Sequence, residues 1–288
     1  MKQENNDDVK LKNLQKQAFY KGYKNDLDAA LQMHVDNQDK QFALTHQKSF
    51  GNEEMTSTLL YNRSDQGNYF LNKVEVELKK ENGVLLKTGF YMDKNSDYTL
   101  KQMYNLLSGR FVEKEKETKE KVEYRAWDQL DLTTRDKYNN YPVLSYGERY
   151  GFNLKESLDR EPLLANKNAE DRKLLEDALR RGNVEKVVYE IDGNLSSKFV
   201  VANVKMREIE RYDSMTEYHK AKAGLMVANA VKENSSSQGA VQTTGADQTK
   251  NDQNLSNKNV EKTNMTDEEG PGNLKTDQKK SKKRGARL

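Results

Sequence analysis

Aromatic residues stop at Tyr218 in this 288-residue chain. Apolar residues then thin out: residues 233–288 hold nine in 56, and the rest is mainly Asn, Gln, Ser, Thr, Asp, Glu and Lys. Such a segment cannot bury enough apolar surface to offset the roughly 1–2 kcal/mol per residue of backbone entropy lost on folding. A disordered C-terminal tail is therefore expected over 233–288. About 232 residues remain for a body of one large domain or two small ones.

The chain has no cysteine, which removes disulfides, thiolate zinc sites and cysteine nucleophiles from consideration. No run approaches the ~18 apolar residues of a membrane-spanning helix. The stretch from Met1 to Asn13 is charged and lacks the apolar centre of a secretory signal. A cytoplasmic protein with no membrane contact and no cofactor is expected. The body carries 39 basic against 38 acidic residues. A dedicated nucleic-acid-binding domain usually shows a basic excess. The tail end differs: Lys279, Lys280, Lys282, Lys283, Arg284 and Arg287 are six basic residues within nine, without an acid. They suit weak phosphate contact by counterion release, or equally a solubilising tip.

The body's periodicity predicts an N-terminal helix pair over 1–38. Leu11, Leu14 and Ala18 share one helical face before Gly22, and Leu27, Ala30, Leu31 and His34 share another from Asn25 onward. Over 39–135 the period becomes two. Phe42, Leu44 and His46, then Met55, Leu59 and Tyr61, then Phe70, Val74, Val76 and Leu78, and finally Leu86, Thr88, Phe90 and Met92 each form one strand face. This is an antiparallel meander with one buried side. A helix beginning at the capping box Thr99–Gln102 covers it. The charged run Glu113–Lys121 reads as a solvated hairpin loop before a strand over 122–132. Residues 136–212 read as an aromatic linker and a smaller α-β-β unit. There Asn168 caps a helix with the stripe Leu174, Leu175, Ala178 and Leu179, and Asp192-Gly193 turns a hairpin. A weak helix is expected over 213–232. The class is α+β.

Familiar phosphate loops and nucleophile elbows are absent from the sequence. His34, His46 and His219 are too far apart in sequence to pair at helical spacing, and packed histidines are the ordinary reading of them. Asp93–Asp97 resembles half a calcium loop, but Tyr98 and Tyr104 stand where glycine and glutamate are needed. Glu75 and Glu77 lie among lysines, as on a solvated strand face. Two features point further. Trp127 falls on the polar face of its strand while Asp128 falls on the apolar one. Either a bulge re-aims one of them, or another element covers Trp127, or Trp127 and Asp128 form an anchor for a protein partner. Secondly, Tyr138, Tyr141, Tyr146 and Tyr150 are interleaved with Arg135 and Arg149. They staple a linker to the core, or they stack on single-stranded nucleic acid.

Four stretches carry a resemblance. They are Tyr104-Asn105-Leu106-Leu107-Ser108-Gly109-Arg110 with Val112, Ala126-Trp127, Tyr150-Gly151-Phe152-Asn153-Leu154, and Leu179-Arg180-Arg181-Gly182-Asn183. Over residues 40–212 the chain resembles an uncharacterised Bacteroidota family often encoded near plasmid and conjugative-element genes. The resemblance implies a bacterial cytoplasmic accessory protein and carries over no catalytic residue.

The leading expectation is a non-enzymatic accessory or interaction protein with a protein partner. One alternative is a nucleic-acid-binding protein using the tail and the Tyr/Arg segment 135–152. Another is a hydrolase built from scattered carboxylates, which a deep pocket lined by His46 or Asp128 would favour.

Overall fold

The computed structural model describes residues 6–223. The tail from 233, its basic end and residues 224–232 of the weak helix lie outside the described residues. The chain is helical from 215 to 223.

Helix α1 (Asn6–Ala18) buries Leu11, Leu14 and Ala18. The chain then makes one wider helical turn, Phe19–Tyr23, in which Gly22 takes φ 101°. Glycine adopts that conformation without a Cβ clash, and α2 (Asp28–Asp36) packs against α1. It starts at Asp28, not Asn25, whose side chain instead donates to the Asp28 carboxylate at 2.7 Å.

Strands β1 (Gln41–Phe50), β2 (Glu53–Arg63), β3 (Tyr69–Lys79) and β4 (Leu85–Tyr91) form an antiparallel sheet in that order. Alternation buries Phe42, Leu44, Met55, Leu59, Tyr61, Val74, Val76 and Leu78. It fails for Phe70, which is exposed. Leu60 pairs with Lys73 but Tyr61 pairs with Leu71, so Asn72 is an extra residue in β3. One inserted residue reverses which side chains face the core, and Tyr69 and Leu71 turn inward instead. Helix α3 (Leu100–Leu107) begins at the Thr99–Gln102 capping box and packs on β3.

The second sheet holds β5 (Val112–Glu117), β6 (Glu123–Leu130) and β7 (Val143–Gly147), with β6 in the middle. The run Glu113–Lys121 is thus not simply a loop, because its first half is a strand. The charges are accommodated by pairing: Lys116 with Asp128, and Glu113 with both Arg125 and Arg180.

The third sheet holds β8 (Glu185–Ile191), β9 (Asn194–Asn203) and β10 (Glu208–Tyr212), with β9 in the middle. Asp192 and Gly193 both take positive φ at its first hairpin, as a primed two-residue turn requires. Helices α4 (Leu154–Asp159) and α5 (Ala169–Arg180), capped by Asn153 and Asn168, pack on this sheet.

The fold is α+β with three antiparallel sheets. Its apolar interior forms two cores. One lies under the first sheet, the N-terminal helices and α3, and includes Val112 and Leu130. The other joins α4, α5 and the third sheet, and includes Phe111 and Trp127. The second sheet is the wall between them.

Candidate functional site

The position of β6 in this wall resolves the Trp127–Asp128 question. No bulge occurs there, since Trp127 pairs with Glu113 and Tyr146, and Asp128 with Val112 and Ser145, in continuous register. From Ala126 to Asp128 both faces of β6 are buried. Trp127 is 6% exposed and meets Phe152 edge-to-face at 5.4 Å. It therefore has no free surface for a partner, and the exposed-anchor expectation is corrected.

Asp128 is fully buried. It accepts hydrogen bonds from Tyr98 and Ser145, each at 2.6 Å, and pairs with Lys116 at 2.7 Å. Burial, then the Asp128 charge, pushes the Tyr98 phenol well above its ordinary range, so it remains a donor. Lys116 also donates to Ser145 at 2.9 Å. A serine–lysine pair can make a nucleophile when the amine takes the hydroxyl proton. Here Ser145 gives its hydrogen bond to Asp128, and Lys116 is committed as the cation of an ion pair. The cluster holds β5, β6 and β7 together.

The tyrosine–arginine segment is largely turned inward. Arg135 lies 3.4 Å from the centre of the buried Tyr141 ring and donates to the Lys87 carbonyl at 2.6 Å. Tyr146 meets Phe111 and Tyr150, and the Tyr150 hydroxyl donates to the Lys205 carbonyl at 3.3 Å. Tyr138 and Arg149 are exposed. These placements do not assemble a ladder of free rings. Lys279, Lys280, Lys282, Lys283, Arg284 and Arg287 lie outside the described residues. His46 bonds Asp26 at 2.9 Å and His34 bonds Asp39 at 2.6 Å. Neither histidine lines the deep cleft described next, and Asp128 does not line it either. Among the described residues no group of His, Asp and Glu is arranged to hold a metal ion.

The chemistry that does converge was not foreseen from the sequence. A cleft of about 1040 Å³ lies among the β1–β2 turn, α3, the start of β8 and the helical segment 215–223. Its volume matches that of small-molecule sites. Arg110 lies in its wall, 6% exposed. Its Nη1 donates to the Gly182 carbonyl at 3.3 Å and its guanidinium sits 5.0 Å from the Tyr104 ring centre. Its buried Nε has no hydrogen-bond partner among the described residues. Tyr218, 2% exposed, brings a second buried donor, its hydroxyl, which has no partner among the described residues. Lys101 stands over the Phe50 and Tyr104 rings at 4.7 and 4.6 Å. Desolvation of its ammonium, and then repulsion from Arg110, lower its pKa to about 8. Glu53, the buried carboxylate of the cleft, accepts from Tyr104 at 3.0 Å and pairs with Lys80 at 2.6 Å. Burial, reinforced by that carboxylate, leaves the Tyr104 phenol pushed up to about 12.

No family model, curated protein or solved structure matches the chain.

Two of the sequence stretches singled out above meet at the cleft. Asn105 donates to the Arg181 carbonyl at 2.6 Å and to Asn183 at 3.1 Å, alongside the Arg110–Gly182 bond. Their turn chemistry was legible, but their meeting was not. Gly182 sits at φ +81°, where a Cβ would lie 2.6 Å from the Phe111 carbonyl oxygen. Gly182→Ala is expected to cost at least about 2 kcal/mol, from left-handed strain and displaced backbone together. A urea midpoint equal to that of the parent protein would contradict this close packing.

Proposed function

We propose that this is a non-enzymatic accessory protein that acts by binding, with a bacterial mobile element as its setting, and that the Arg110 cleft receives an anionic group of its ligand. The observation that carries the reading is Arg110 in the cleft wall, whose buried Nε has no hydrogen-bond partner among the described residues. A buried donor left unsatisfied costs about 1–3 kcal/mol. A small shift of the guanidinium into the cleft would let a ligand oxygen remove that cost. Lys101 adds a second cation, and the Phe50 and Tyr104 rings add apolar wall for the rest of the ligand.

The test is calorimetric titration of the full chain with inorganic pyrophosphate, with the recovered anion analysed by mass spectrometry. Saturable binding and unchanged pyrophosphate are expected. Absence of heat, with no shift in melting temperature, would remove the anion reading; steady hydrolysis would move the protein among the enzymes. The pH dependence has a definite sign. Lys101 is cationic below its pKa of about 8 and loses its charge above it. Affinity should therefore fall as pH rises from 7 to 9, and this fall should vanish in Lys101→Met.

A further inference from the structure

A sheet can gain a neighbour at its edge strands, because their outward N–H and C=O groups lack a ladder partner. Most edges of this protein are guarded. On β4 the Lys87 carbonyl accepts from Arg135 at 2.6 Å, the Gly89 amide donates to Asn140 at 2.7 Å, and the Tyr91 carbonyl accepts from Ser96 at 2.9 Å. On β8 the Glu190 amide donates to the Pro162 carbonyl at 2.9 Å, and Tyr189 bridges to Leu163. On β5 the Asn95 side chain bonds both the amide and the carbonyl of Glu117. Strands β7 and β10 are only five residues long.

Strand β1 differs. It runs for ten residues along the edge of the first sheet and pairs with β2 without a register shift. The Arg63 amide donates to the Lys40 carbonyl at 2.8 Å, so every second residue from Lys40 onward faces β2. Gln41, Ala43, Thr45, Gln47 and Ser49 therefore direct their N–H and C=O groups away from the sheet. Among the described residues no hydrogen bond reaches these groups. All five side chains are exposed. The usual guards of an edge are missing too: β1 has no proline and no bulge, and a single lysine, Lys48.

The charge pattern selects the occupant. From Gln41 to Gln47 there is no Asp, Glu, Lys or Arg, and the neighbouring outer-face residues of β2, Thr56, Thr58 and Leu60, are uncharged as well. The strand is therefore compatible with itself. Centred on Thr45, two antiparallel copies oppose Gln41 with Ser49, Ala43 with Gln47, and Thr45 with Thr45. That register uses all five outward residues of each copy. Lys48 then stands opposite Phe42 and about 20 Å from its own copy, six residues along the strand. No like charges meet.

We propose that two copies of this chain join edge to edge through β1, antiparallel about a two-fold axis at Thr45, to make one eight-stranded sheet. The contact is isologous, and its five opposed pairs exchange about ten backbone hydrogen bonds. It needs nothing bound in the Arg110 cleft.

The test is sedimentation velocity of the full chain from about 1 to about 100 µM, the range that reveals a micromolar dimer. A doubled mass is expected at the upper end. The Thr45 amide bonds nothing in β2, so Thr45→Pro spares the β1–β2 ladder and should stay monomeric throughout. Thr45→Lys sets two ammonium groups across the axis and should weaken the dimer at least about tenfold, less so in high salt. If the proline variant fails to fold, the lysine variant decides alone, since position 45 is exposed. The chain has no cysteine of its own, so a nitroxide on Ser49→Cys labels one position per copy. Pulsed electron spin resonance should find the two labelled positions about 27 Å apart, eight residues along the strand. A parent protein that stays monomeric, a dimer that survives the Thr45 substitutions, or a label separation far from this value would overturn the proposal.

Discussion

Asp128→Ala is expected to destabilise the protein by about 3–5 kcal/mol, the range for removing one partner of a buried ion pair. The loss is large because three groups depend on one carboxylate. Lys116, whose side chain is 9% exposed, would lose its counterion. The Tyr98 hydroxyl would lose its acceptor in a buried setting, and Ser145 would lose its own. Asp128→Asn preserves an acceptor oxygen but not the charge, and should fall between the parent and the alanine variant. Urea unfolding of the three proteins checks the order. An alanine variant within 1 kcal/mol of the parent would show that water or rearrangement replaces the network at little cost.

Trp127→Ala, on the opposite face of the same strand, should cost a similar amount, about 3–5 kcal/mol. The cause is different. Removing the indole empties the space beside Phe152 and takes the largest side chain from the second core. Its fluorescence offers a separate check. The chain has one tryptophan, so an emission maximum close to that of free tryptophan in water would refute its burial. The pair of variants also probes the wall between the cores. If the second sheet couples them, each substitution should lower one common transition and not split it in two.

The parts of the fold legible in the sequence were those governed by near neighbours. Thr99 and Gln102, three residues apart, form both bonds of the capping box. Asn168 bonds the amides of Glu170 and Asp171. Asp192-Gly193 carries its turn in its own backbone preferences. Alternation likewise exposed the four-stranded meander, because each strand's buried side is written at every second residue. The failures were of another kind. Glu113–Lys121 has no apolar pattern, yet half of it is a strand, since Arg125, Asp128 and Arg180 supply countercharges from elsewhere in the chain. Phe70 misled because a bulge shows only in the pairing. Trp127 looked solvent-facing because alternation presumes one wet side, and β6 has none at that point. The cleft was invisible for the same reason. Arg110 lies just past the end of α3 at Leu107, and nothing nearby in sequence reveals that its partner carbonyl belongs to Gly182.

Each sheet keeps its strands in chain order. Every ladder therefore joins neighbours in the chain, most through two to five residues and β6–β7 through twelve, with little loop entropy lost before the pairing is gained. The seam between α3 and the α5–β8 turn has no such advantage, because its bonds join residues 72 to 78 positions apart. It is also narrow, resting on a few polar contacts and the close approach at Gly182. The seam can part while every sheet stays paired, so slow amide exchange in the ladders can coexist with faster exchange around Asn105, Arg110 and Asn183. A molecule bound at Arg110 would stabilise this seam first. Its presence would register as protection of those amides before it raised the stability of the whole.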